Sequence, residues 1–400
     1  MVQVLTSIGE ILRKPHNQIL IAATVMFIVM NTEVGSMLNS ISLKHIQLIK
    51  SQQAFDNTGI FTEMLGSASN DHLLEILVLI SYVFLTQSSS LTMVMTHAVM
   101  SSVAPIISIL FKAPRPWYSN SSVMPMKLEY GYGMVSGDAF RGTLISLSLL
   151  YFMFRDYKVR NILVQTSSYI VVTLLSLQIG YIKMMDGHHT LDQVFAGFFL
   201  AIVIHILVCH TFREHLDNLW NDLPCHNISY ITNSIVLVIV SLNAAAIAAV
   251  YHHEANFDVN STWKELTDLH IGYLKTETAI QLFASANLLG AYLGFLLQIG
   301  LAKWNEGKYI EMDKLDNYTF LQTSFRISLV LILSFLSLIP WNIGAMQEDV
   351  VHKVLLQSIA YRFVSAFAVF AFFRKIDTIV HPEEEFVHYQ LSETSDSEDN

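Results

Sequence analysis

The sequence predicts an all-α integral membrane protein with about ten membrane-crossing helices. Three observations carry this. Hydrophobic residues make up 52% of the 400 residues and charged residues only 14%, well below the charged share of a soluble domain. The mean hydropathy is +0.44. Apolar runs of roughly 20 residues recur, the length that crosses a bilayer as a helix. Strands are not expected, because a lipid-exposed backbone must satisfy its own hydrogen bonds.

The elements follow in chain order. Residues 1–17 place Val4, Leu5, Ile8, Ile11 and Leu12 at helical spacing, so they read as an amphipathic segment on the membrane surface. A first run, 18–38, is too long for a signal-peptide core and reads as an anchor, followed by a loop to residue 71. Runs 72–89, 91–111, 140–155, 161–182 and 191–211 form a core region, 72–211. Runs 228–251, 279–302, 324–342 and 353–373 fill a C-terminal region, 212–376. Residues 377–400 are acidic and nearly free of apolar side chains, so a disordered tail is expected. That tail supplies much of the net charge of −10, which therefore says little about the membrane part.

Orientation follows from the short loops. With the N-terminus in the cytosol, Arg13, Lys14, Arg155, Lys158, Arg160, Arg213, Lys303, Arg374 and Lys375 all lie inside. Both termini are then cytosolic, and an internal membrane such as the endoplasmic reticulum is the expected location. Cys209 and Cys225 fall near the cytosolic side, so no disulfide framework is implied. Asn260, in Asn260-Ser261-Thr262, lies in an opposite loop and reads as a glycosylation acceptor. Three intramembrane polar residues need partners. Arg362 should face a carboxylate or water, and His97 and His205 should hydrogen-bond between helices.

Three short stretches at membrane edges fall on the same, non-cytosolic side. They are Lys112-Ala113-Pro114-Arg115-Pro116-Trp117, then Tyr132-Gly133-Met134-Val135-Ser136-Gly137-Asp138-Ala139, then Lys183 with His188-His189-Thr190-Leu191-Asp192-Gln193-Val194. Together they hold what phosphoryl transfer needs: cationic donors, a nucleophile and an acid. Arg115 offers a bidentate fork to phosphate. Ser136 and the Gly137 amide open a helix and can donate to phosphate oxygens. Singly, each stretch has a plainer reading: Arg-Pro-Trp as an interfacial anchor, Asp138 as a helix cap, the paired histidines as a hydrated helix start.

The order and setting of these stretches resemble the type 2 phosphatidic acid phosphatase superfamily. Lys127-Leu128-Glu129 ahead of the second stretch is similar to the sphingosine 1-phosphate phosphatase branch. The resemblance implies a six-helix phosphatase-type core, with extra C-terminal helices like those of the sphingosine and glucose-6-phosphate branches. It also implies a phosphohistidine mechanism that needs no metal and no cofactor. Two registers fit the third motif. With His189 as nucleophile, Lys183 takes the family's arginine position, Gln193 its aspartate and Gly197 its glycine. With His188 instead, Asp192 is the orienting carboxylate but Ile182 replaces the arginine. The first register keeps a cation and is preferred. In both, the partner lies one helical turn on and is expected to face the histidine.

The chain departs from the pattern at several points. Ser108 stands where the family has lysine, with Lys112 nearby as a substitute cation. Val135 replaces a proline, and Asp138 replaces the acid histidine. Asp138 can donate a proton only in its protonated form, and as a carboxylate it repels phosphate. Two functions are therefore expected. One is a lipid phosphate phosphatase, acting on a single-chain lipid phosphate such as a long-chain base phosphate. The other is a catalytically degenerate relative that binds lipid, regulates, or serves as a subunit of a membrane assembly. Charge balance tips toward the second. No nucleic-acid motif is present.

Overall fold

The computed structural model describes residues 14–51, 71–111, 113–119, 121–123, 132–221, 234–242, 244–245, 284–304, 320–335, 360 and 362–373. Residues 1–13, Lys112, the Lys127-Leu128-Glu129 stretch, Asn260, Cys225 and the tail lie outside them. Every regular element among the described residues is helical, as lipid solvation demands.

In order these are α1 (Pro15–Val29), α2 (Glu33–Ser51), α3 (Asp71–Phe84), α4 (Gln87–Phe111), the short α5 (Pro116–Ser119), α6 (Gly137–Asp156), α7 (Ile162–Met185) and α8 (Leu191–Ile206). A π-helical turn, Leu207–Thr211, extends α8 into α9 (Arg213–Asn221). Then come α10 (Ala284–Trp304), α11 (Phe320–Phe335) and α12 (Arg362–Phe373). Among the described residues, three helices are long and apolar enough to cross a membrane: Gln87–Ser108, Ile162–Met185 and Leu191–Thr211. The helix over 137–156 carries Asp138, Arg141, Arg155 and Asp156 at its ends, and α10, α11 and α12 contribute the shorter apolar stretches Ala286–Gln298, Thr323–Ile332 and Arg362–Phe373. The chain is thus a helical membrane protein, while the fuller set of ten crossings is an expectation.

The apolar run 18–38 departs from its expected form. It is two helices, bent by 67° between Val29 and Glu33. The cause is local: Asn31 Nδ2 donates to Phe27 O at 2.7 Å, and Thr32 Oγ1 to Val29 O at 2.7 Å, closing the end of α1 with side-chain bonds. Gly35 then seats against the Met30 carbonyl, where a Cβ would lie 1.9 Å from the oxygen. Helix continues to Ser51, into what reads from sequence as loop.

At the centre, α8 packs on α1, α6 and α7, and α4 packs on α3, α6 and α10. Phe140, Leu144 and Ile145 of α6 meet Leu91, Met93 and Val94 of α4 and Ala196 and Ala201 of α8 in one buried cluster. Gly197 lets α8 approach the start of α6, since a Cβ there would lie 2.7 Å from Ser136 O. The face of α7 bearing Ile170, Val171, Leu174 and Leu175 is exposed, as a lipid-facing surface must be. At the far end from the three motifs, Arg155 forks onto both oxygens of Asp217 at 2.9 Å, and Asp156 accepts from Thr86 N at 2.9 Å. These bonds tie the ends of α3, α6 and α9 together.

Arg362 finds the carboxylate it requires. Its Nε lies 3.3 Å from Glu75 Oε2, and Asn287 Nδ2 donates to Glu75 Oε1 at 2.9 Å, all three side chains being buried. His205 Nδ1 likewise pairs with Ser148 Oγ of α6 at 3.2 Å. The Glu75 cluster joins α10 and α12 to the core. Removing one partner strands a buried charge, so Glu75→Ala should lower stability by about 3–5 kcal/mol, whereas Glu75→Leu with Arg362→Leu should restore most of it. Thermal unfolding of the purified variants in detergent checks this.

Candidate active site

The three motifs meet at one end of the bundle, where α4 gives way to α5, where α6 begins, and where α7 turns into α8. Ser136 is the N-cap of α6, its Oγ accepting from Ala139 N at 3.5 Å. The α7–α8 turn is closed by His188 N donating to Lys183 O at 3.0 Å, with Gly187 at a positive φ of 89°.

Gln193 binds the three motifs to one another. Its Nε2 donates to Pro114 O at 2.8 Å, and its Oε1 accepts from Thr190 N at 3.2 Å. Its backbone carbonyl accepts from Ser136 N at 3.0 Å. A further bond, Gly133 N to Ala113 O at 2.8 Å, ties the second stretch to the first. These bonds hold the three stretches together through their backbones and the Gln193 amide.

His189 is buried, and its Nδ1 lies 3.0 Å from Gly133 O. A carbonyl oxygen only accepts, so Nδ1 carries a proton, and in the neutral ring the lone pair is then on Nε2. The expectation that Gln193 faces the histidine is corrected here. Its amide is directed to Pro114 and Thr190, and the orienting acceptor is a backbone carbonyl. Asp192, the partner in the other register, faces Thr190 and Asn39 of α2. His188 Nε2 stands 3.8 Å from Asp186 Oδ2, so its neighbouring carboxylate is Asp186 rather than Asp192. The His188 backbone carbonyl accepts from Arg115 Nη1 at 3.4 Å, which sets the buried Arg115 guanidinium beside the paired histidines.

Lys183 and Asp138 form an ion pair, Nζ to Oδ2 3.2 Å. The cation and the carboxylate that the resemblance puts at the arginine and acid positions are thus bound to each other. Gly137 presents its amide at the start of α6. Behind it, Arg141 Nε donates to Gly137 O at 3.2 Å, and Arg141 Nη2 lies 2.9 Å from where a Gly137 Cβ would stand. Lys112 lies outside the described residues. Ser108 is partly buried on α4.

Sequence reasoning missed three contributors. Gly133 acts through its carbonyl, which leaves no side-chain signature. Arg141 stands one helical turn after Gly137, so its spacing was available to show that it reaches the same helix end. Asn39 sits on a helix that reads as loop.

Residues 79–217 match the model of the PAP2 superfamily. The match supports the resemblance to the type 2 phosphatidic acid phosphatase superfamily and a phosphatase-like function. It runs from within α3 to α9 and includes all three motifs, while α1, α2 and α10–α12 lie outside it. No curated protein and no solved structure matches the chain significantly. Among the described residues no group of histidine, cysteine and carboxylate side chains could hold a metal ion.

Proposed function

We propose that this protein hydrolyses a lipid phosphate monoester through a phosphohistidine at His189. The observation that carries the reading is the Nδ1–H bond of His189 to Gly133 O, which leaves Nε2 as the nucleophilic atom. Arg115 and Lys183 hold the phosphoryl oxygens, with Ser136 and the Gly137 amide as further donors. In the first step the Nε2–P bond forms and the ester O–P bond breaks, and the alkoxide takes a proton from the Lys183 ammonium. In the second, a water oxygen bonds to phosphorus, its proton returns to Lys183, and the N–P bond breaks. Asp138 holds the Lys183 side chain in place and stabilises its ammonium form before the first step and after the second. The ligand is a single-chain lipid phosphate such as a long-chain base phosphate, in line with the sphingosine-branch residues around the second motif. The site faces the non-cytosolic side of an internal membrane, with both termini in the cytosol.

The Asp138–Lys183 pair favours a second reading. An anion replaces the family's acid and occupies a phosphate-binding cation, as in a catalytically degenerate relative that keeps lipid phosphate bound, alone or as a subunit of an assembly. Trapping separates the two. Quenching the protein on lipid phosphate labelled at phosphorus should leave an alkali-stable, acid-labile label that His189→Ala lacks. Wild-type protein that binds the lipid phosphate but never becomes labelled, and releases no phosphate, would replace the first reading by the second.

A further inference from the structure

Helix α2 lies outside the matched segment yet forms one rim of the site. Ile46 is fully buried against Trp117, Met184 and Met185, and Gln47 Nε2 donates to Ser122 Oγ at 3.3 Å. Asn39 faces Asp192. The rest of the helix surface divides into two stripes. Val34, Met37, Ile41 and Leu48 are exposed along one, and Glu33, Ser36, Ser40 and Lys44 along the one beside it. A helix with one buried, one apolar and one polar stripe meets three media at once: protein, acyl chains and water.

The length of the broken pair agrees. α1 has 15 residues and rises about 22 Å at 1.5 Å per residue, short of the roughly 30 Å apolar layer. α2 has 19 residues and is bent 67° away from α1. Its about 28 Å of length then adds about 11 Å along the α1 direction, which completes the crossing. On α1, Ile21, Val25 and Ile28 are exposed as well, as lipid-facing residues of the same crossing would be.

We infer that α2 lies obliquely in the leaflet on the side where the site opens, with its Val34–Leu48 stripe docked on the acyl chains of that leaflet. The rim of the site is then itself sunk in lipid. Neither step depends on whether the site hydrolyses anything.

Spin labels at single cysteines test this in phosphatidylcholine vesicles. The full chain carries Cys225→Ser and Cys209→Ala; should the latter impair folding, Cys209 is retained, because it is buried. Labels replacing Met37, Ile41 and Leu48 should collide with oxygen and be shielded from a water-soluble nickel reagent. Labels replacing Ser36, Ser40 and Lys44 should show the reverse. Nickel access at all six positions would place α2 in water, and oxygen access with nickel exclusion at all six would make it an upright span. Either result overturns the inference.

Discussion

Replacing His189 by Gln stops turnover of long-chain base phosphate, with kcat falling by roughly 10⁴-fold or more, the scale on which loss of a nucleophile is felt. Replacing His188 by Gln leaves kcat within about tenfold. The two outcomes differ because the rings differ in setting. The His189 ring is fixed by Gly133 O at 3.0 Å. The His188 ring stands 3.8 Å from Asp186, and its contribution to the site is a backbone carbonyl that glutamine retains. Steady-state phosphate release by the two variants decides between the registers. A larger loss at His188 would assign the nucleophile to the other histidine.

The second large effect centres on Asp138. A carboxylate near a bound phosphate repels it by up to about 4 kcal/mol per charge pair at 4 Å with an effective dielectric of 20. Asp138→Asn removes that repulsion and releases Lys183 toward the phosphate, so KM should fall by at least tenfold while kcat changes little. Asp138→His removes the same charge and supplies the family's acid, so kcat should rise by about 10²-fold. Kinetics of the two variants on one substrate separate binding from proton supply. Unchanged KM in Asp138→Asn would mean that the Asp138 carboxylate does not face the phosphate.

What the sequence made legible was that the three motifs belong together, because that rests on residue types and on where the apolar runs end. Arg115, Ser136, Lys183 and His189 were found that way. The orienter of His189 was not, since any residue can present a carbonyl, and Gly133 is held in place by its bond to Ala113 O and its close approach to the Gln193 amide. The pairing of Lys183 with Asp138 was also hidden, because 45 positions separate them and no local pattern links them. The three helices long and apolar enough to cross a membrane were legible as apolar runs. The bend after α1 was not, because hydropathy continues across it while Asn31, Thr32 and Gly35 redirect the backbone by bonding and close approach.

The bonds around Gln193 carry a consequence for how such a site can change by descent. One side chain and its own carbonyl reach Pro114, Thr190 and Ser136, one point on each motif. Placing at position 193 the aspartate that the resemblance calls for therefore takes away the donor to Pro114 before it can provide an orienter for His189. Position 193 is thus coupled to Gly133 and Pro114, and the three motifs form a mutually dependent set in which no one of them can change alone.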